Sequence, residues 1–247
     1  MNFGKLFIFF YLMSFNFSSF SQKKLFEAKK YSSTDTLNYQ LLSPEKLKKD
    51  KKYPIVLFLH GSGERGSDNQ KQLKHIKALF TDSANRINFP CYVIAPQCRQ
   101  GLRWAGLRNN DSIVSPLVLT EELIDELIKK LPIDKSRVYI TGLSMGGAGT
   151  WESIIYNPEK YAAAVPICGW GIPGKASEIA KMPIWVFHGE LDNIVKIEGS
   201  RNMVESLRNF GSPVLFTEYK DVNHESWVPA YQEKDLLPWL FNQKLKK

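Results

Sequence analysis

The chain has 247 residues, with 33 Lys and Arg against 25 Asp and Glu, for a formal charge of +8. At 43% hydrophobic and 23% charged residues its composition is globular, which excludes disordered and fibrous classes. Its 16 Gly and 13 Pro follow no repeat, so collagen-like and solenoid architectures fall away, and three Cys are too few for a disulfide scaffold.

In chain order, Met1–Ser21 reads as a signal peptide: Lys5, then the unbroken apolar run Leu6–Met13, then a mixed stretch ending at the small residue Ser21. Cleavage is expected near Ser21/Gln22. The apolar run is far short of the roughly 18 residues of a spanning helix. The expectation is a bacterial secreted or periplasmic protein with no stable membrane insertion, its residues 22–247 forming one domain. Export places the thiols in an oxidising compartment. Cys91 and Cys98 bracket an extended Tyr92–Gln97, which holds them about 23 Å apart, beyond the roughly 7 Å reach of a disulfide. Buried thiols are the reading, with a bond from Cys168 to either left open.

Leu37–Leu42 alternates and predicts a first strand. Ile55–Leu59, Tyr92–Ala95, Arg137–Thr141, Ala163–Ile167, Ile184–Phe187 and Val214–Tyr219 are short apolar runs of the kind buried in a parallel sheet. Between them, Leu117–Leu131 carries Leu119, Leu123, Leu127 and Leu131 on one helical face. Gly146–Tyr156, Ile197–Asn209 and Tyr231–Leu240 are further helix candidates. Strands alternating with helices of this length predict an α/β fold, a mostly parallel central sheet with helices on both faces.

The strongest local signal is Gly142-Leu143-Ser144-Met145-Gly146-Gly147, set between a strand and a helix rich in small residues. That setting is a nucleophile elbow, a tight strained turn at which glycines leave room and the serine hydroxyl projects. The Met145 N–H would stand at a helix N-terminus, where unpaired donors favour an oxyanion. A serine needs a base. Of four histidines, His60 and His188 each precede a glycine at a strand end, and His75 lies in a Lys-rich segment read as surface. His224 comes late, in a polar loop beyond the last strand, and is the candidate base. Asp192, just past Ile184–Phe187, is the candidate orienting acid, with Glu190 and Asp221 as competitors. The order Ser144, Asp192, His224 is that of α/β-hydrolases.

These segments, with Leu59-His60-Gly61-Ser62-Gly63-Glu64-Arg65-Gly66, Ala95-Pro96-Gln97-Cys98, Phe187-His188-Gly189-Glu190-Leu191-Asp192 and His224-Glu225-Ser226-Trp227, resemble the α/β-hydrolase superfamily across about Leu37–Leu240. The resemblance is nearest to exported esterases and "predicted peptidases" beside polyhydroxybutyrate depolymerase-like, feruloyl esterase and phospholipase/carboxylesterase proteins. It implies an oxyanion hole formed by the N–H groups of Met145 and Ser62, with Gly63 the near alternative, and structural roles for His60 and His188.

Loops at the carboxyl ends of strands carry Trp104, Trp170 and Trp227, candidates to stack on a sugar or phenolic ring. Glu64-Arg65 can be a structural pair holding the oxyanion loop, and Arg103 or Arg108 can meet a carboxylate. Metal-binding, P-loop and dinucleotide signatures are absent from the sequence, so no metal and no cofactor is expected. The leading reading is a serine esterase acting on small-molecule or saccharide esters, carbohydrate- or plant-derived. A serine peptidase and a non-catalytic carbohydrate-binding homologue are the alternatives. The charge sits in the flanks: residues 22–52 hold nine Lys against four acids, and 244–247 add three Lys. Residues 53–243 hold 20 basic and 21 acidic groups, so a nucleic-acid partner loses its support.

Overall fold

The computed structural model describes residues 25–104, 106 and 115–245; the expected signal peptide and Arg108 lie outside the described residues. Among the described residues eight strands form one sheet: β1 (Phe26–Ser32), β2 (Thr36–Leu42), β3 (Tyr53–Leu59), β4 (Tyr92–Pro96), β5 (Ile133–Leu143), β6 (Ala163–Ile167), β7 (Trp185–Gly189) and β8 (Leu215–Tyr219). Their order is β1-β2-β4-β3-β5-β6-β7-β8. β3 to β8 run parallel, while β2 lies antiparallel to both β1 and β4. The helices are α1 (Lys77–Thr81), α2 (Ser83–Asn88), α3 (Pro116–Lys130), α4 (Met145–Tyr156), α5 (Ala176–Ile179), α6 (Glu198–Asn209), α7 (Trp227–Ala230) and α8 (Leu236–Phe241).

Both faces of the sheet are covered, which is why β3, Tyr53–Leu59, is apolar and buried throughout. Ile55, Leu57 and Leu59 pack with residues of α3, α4, α5 and α6 on one face. Val56 and Phe58 point the other way and pack with residues of α1, α7 and α8. Helix α3 starts where its sequence supplies a cap: Ser115 accepts from the Leu117 N–H, Pro116 opens the helix, and Lys129 and Lys130 end it.

Several elements depart from the sequence reading, among them the short helices α2, α5 and α7, for which it proposed nothing. β1 was not anticipated, because four consecutive residues of this edge strand are exposed and only Phe26 and Tyr31 are buried, leaving no alternation to read. The single helix expected over Tyr231–Leu240 is instead α8 alone, preceded by turns. Pro238 has no N–H to give to residue 234, so it fits only the first turn of a helix beginning near Leu236. All three cysteines are free and buried.

Candidate active site

The adjacent strands β3 and β5 place two turns side by side at their carboxyl ends. At the end of β5, Ser144 adopts φ 54° and ψ −115°, a conformation side chains rarely take, and α4 begins at the next residue. The turn is held by the Ser144 N–H donating to the Ile167 carbonyl at 2.9 Å. Its glycines are required by close backbone approach: a Cβ on Gly146 would stand 1.9 Å from the Leu59 carbonyl oxygen, and one on Gly142 2.3 Å from that of Gly146.

His224, on the loop after β8, has Nε2 2.9 Å from Ser144 Oγ and Nδ1 2.7 Å from Asp192 Oδ2. In neutral His224 the serine hydroxyl donates to Nε2 and Nδ1–H donates to the carboxylate. Asp192 is fixed on both oxygens: Oδ1 accepts from the Ile194 and Val195 N–H groups at 2.9 Å each, and Oδ2 also faces His188 Nε2 at 3.1 Å. Burial alone would raise this carboxyl; the hydrogen bonds from His224, Val195 and Ile194 outweigh burial and hold it below the ordinary range. The competing acids Glu190 and Asp221 lie exposed at the surface.

His188, for which the resemblance implies a structural role, braces the candidate acid, a contact that the sequence reading did not specify. Its Nε2–H is shared between Val195 O at 2.9 Å and Asp192, and Nδ1 meets Ser200 Oγ at 2.8 Å. Burial pushes its pKa down, which keeps it neutral beside the carboxylate. The available signal was the spacing His188-x-x-x-Asp192 across a tight turn. Below the same group lies Cys168, at φ 40°, with its thiol pushed up to about 12 by burial. Ligating atoms of Cys168, Asp192 and His224 fall within 4.8 Å of one another. Each Asp192 oxygen already meets two N–H donors and the thiol is held protonated, an arrangement that suits a hydrogen-bonded unit rather than a metal centre.

On the other turn, Gly61 leads into a 3-10 turn, Ser62–Glu64, with Ser62 exposed. Met145 is the first residue of α4, where an N–H has no intrahelical acceptor. His60 ties this loop down: Nδ1–H donates to the Gly61 carbonyl at 2.6 Å, Nε2 accepts the Cys98 N–H at 2.9 Å, and the His60 carbonyl accepts from Trp104 Nε1 at 2.9 Å. Burial lowers the His60 pKa to about 4. Because the folded state binds this proton less readily than the unfolded chain, stability is full above about pH 6.5 and falls as pH drops towards 4. The expected loss is about 3 kcal/mol, with a same-signed contribution from His188. Urea unfolding at pH 7 and pH 4.5 measures it; His60→Gln should flatten that dependence, and an unchanged slope would contradict the assignment.

His75 is not the surface residue expected. Its side chain is only 16% exposed, lies 3.3 Å from Glu64 Oε1, and its ring centroid is 5.2 Å from that of Trp227. Trp227 in turn meets the His224 ring edge-on at 5.3 Å. The oxyanion-side turn and the candidate base are thus braced through Glu64, His75 and Trp227, and Glu64 faces His75 rather than pairing with Arg65.

The tryptophans need correction as stacking platforms. Trp104 is wholly buried, its N–H given to His60 and its body packed against Gly149. Trp227 is 8% exposed and enclosed by the two histidines. Trp170, at 44%, still offers a face to solvent.

Comparison with known proteins follows the same outline. The profile of the phospholipase/carboxylesterase family matches residues 101–233. The bifunctional acetylxylan esterase/xylanase XynS20E of Neocallimastix patriciarum is 30% identical over 156 residues, 63% of this chain and 22% of that protein. Carboxylesterase SOBER1 of Arabidopsis thaliana is 25% identical over 205 residues, 70% of this chain and 89% of that protein. The crystal structure of a thermostable esterase superposes with a TM-score of 0.84 at 38% identity, covering 89% of this chain and 63% of that one. Among the described residues, no helix is long and apolar enough to cross a membrane.

Proposed function

The chain belongs to the phospholipase/carboxylesterase family of the α/β-hydrolase fold, and from that premise we propose that it hydrolyses carboxylic esters through Ser144, His224 and Asp192. The observation that carries this reading is the continuous hydrogen-bond relay from Asp192 Oδ2 to His224 Nδ1 and from His224 Nε2 to Ser144 Oγ, at 2.7 and 2.9 Å.

In this mechanism Ser144 Oγ attacks the ester carbonyl as His224 Nε2 takes its proton. Asp192 holds the imidazole in the required tautomer and stabilises the imidazolium. The carbonyl oxygen, now an oxyanion, is received by the N–H groups of Met145 and Ser62, each worth about 2.7–4 kcal/mol of barrier in comparable sites. Collapse expels the alcohol, protonated by His224, and leaves an acyl-Ser144. Water, deprotonated by His224, then attacks the acyl-enzyme and releases the acid.

The finer reading is an exported enzyme acting on acyl esters of plant polysaccharides. Trp170 offers an aromatic face, and one relative is named for acetylxylan esterase activity. The mature chain would begin near Gln22, which N-terminal sequencing of protein recovered outside the cytoplasm checks.

The test of the reaction is incubation with a p-nitrophenyl acyl ester and with a p-nitroanilide peptide, alongside mass spectrometry after fluorophosphonate treatment. Ester turnover with an adduct on the Ser144 peptide is the expected result. Turnover of the anilide alone would assign a peptidase. Neither turnover nor adduct would overturn the catalytic reading and leave a binding protein. A panel of acetylated xylan, feruloyl and alkyl esters then ranks substrates.

A further inference from the structure

Arg65 follows the oxyanion-side turn, and among the described residues its cation has no carboxylate partner. Its Nη2 lies 3.1 Å from the Met145 thioether sulfur, a weak acceptor. Its Nε is buried and has no hydrogen-bond partner among the described residues. The neighbouring carboxylates are engaged elsewhere: Glu64 with His75, and Asp68 with Lys71, backbone N–H groups and the Gln97 amide. Nε and Nη2 form the side-on edge of the guanidinium, the two-donor fork that matches a carboxylate. One end of that edge, Nη2, meets the thioether of Met145, the residue immediately after Ser144. The side chain as a whole is only partly buried. Its charge also reaches His60 and Cys98, where it favours the deprotonated form.

We propose that Arg65 is a specificity residue that binds a carboxylate carried by the ester substrate, the Met145 side chain swinging aside to free the Nε–Nη2 edge. This rests on the reading that Ser144 attacks an ester. An unpaired buried donor is costly, and methionine, with three rotatable bonds, yields its place readily. A substrate carboxylate would satisfy the orphan N–H and neutralise a half-desolvated cation in one contact. Neutral esters would bind without that gain. The substrate class is therefore an acid ester, with its carboxylate a few atoms from the scissile carbonyl on the acyl or the alcohol side.

The experiment compares kcat/KM for p-nitrophenyl butyrate with that for mono-p-nitrophenyl succinate, which carries the charge on the acyl side. A second pair, phenyl acetate and 4-acetoxybenzoate, carries it on the alcohol side. The wild-type protein should favour the anionic member of one pair by about tenfold or more, a gain of the size expected for a charge-assisted bidentate contact. Arg65→Gln should erase that preference by raising KM for the anionic ester at least about tenfold more than KM for its neutral counterpart. Arg65→Lys should recover only part of it, since lysine lacks the two-donor edge. Independently of turnover, monomethyl succinate and methyl 4-acetoxybenzoate's parent acid, 4-acetoxybenzoate, are titrated calorimetrically into Ser144→Ala and into Ser144→Ala/Arg65→Gln. Arg65-dependent binding of either probe supports the proposal even if ester hydrolysis fails. Equal loss of neutral and anionic turnover, or a preference that survives Arg65→Gln and Arg65→Lys in folded protein, would overturn it while leaving the hydrolase reading intact.

Discussion

Ser144→Ala is expected to lower kcat for an aryl ester by about 10⁶-fold, with the thermal unfolding midpoint close to that of the parent. The hydroxyl is the atom that forms the acyl bond, and among the described contacts its partner is His224 Nε2, so its removal takes away chemistry and little packing. Asp192→Asn should cost about 10⁴-fold. An amide in that place accepts at one atom only, and it can direct an N–H at His224, favouring the tautomer that leaves Nε2 protonated and unable to take the serine proton. Because the three groups act as a unit, combining Ser144→Ala with His224→Ala should add almost nothing to the single loss. Stopped-flow and steady-state assays on folded variants decide this. A Ser144→Ala protein retaining more than about a hundredth of the parent rate would mean that another group carries the reaction.

Gly146→Ala is expected to prevent folding or to cost more than about 4 kcal/mol, the range reserved for changes that native packing cannot absorb. The added carbon would meet Leu59 O at 1.9 Å, Leu59 C at 2.5 Å and His60 O at 2.8 Å. All three atoms are backbone at the end of β3, which is paired through Leu59 with Gly142 of β5. Relief would require moving a central strand away from the elbow it supports, and with it the oxyanion-side turn. Gly63→Ala is the control. Nothing lies within 4 Å of its added carbon, and the expected change is within about 1 kcal/mol. Chemical unfolding of both variants measures the contrast, and a well-folded Gly146→Ala would refute the close approach of α4 to β3.

The two effects differ in how far the sequence foretold them. Gly-x-Ser-x-Gly between a strand and a helix announces a candidate nucleophile and small neighbours, because the strand-turn-helix pattern is local, although the backbone that forbids a side chain on Gly146 belongs to the end of β3. The buried parallel strands were legible for a similar reason: covered on both faces, they read as continuous apolar runs. β1 was not legible, since an edge strand with exposed side chains owes its existence to hydrogen bonds from β2. The supporting histidines were also hidden. His75 sits among lysines, as a surface residue would, yet it is closed in by Glu64 and Trp227. His188 declares itself only once the turn at Gly189 folds Asp192 back upon it.

By itself, then, the sequence determined the α/β layering, the elbow at Ser144 and the chain order of serine, acid and base. Those follow from periodicity, turn chemistry and residue type, each expressed over short stretches. The sequence put Asp192 ahead of Glu190 and Asp221 as candidate acid; which of these carboxylates is buried against His224 is visible only in the tertiary structure, since it depends on β7 and β8 lying side by side. The tertiary structure likewise enclosed Trp104 and Trp227 while leaving Trp170 open, and set the Arg65 cation beside Met145 without a counter-charge among the described residues. Burial and pairing across the sheet are set by chain segments tens of residues apart, and no local pattern encodes them.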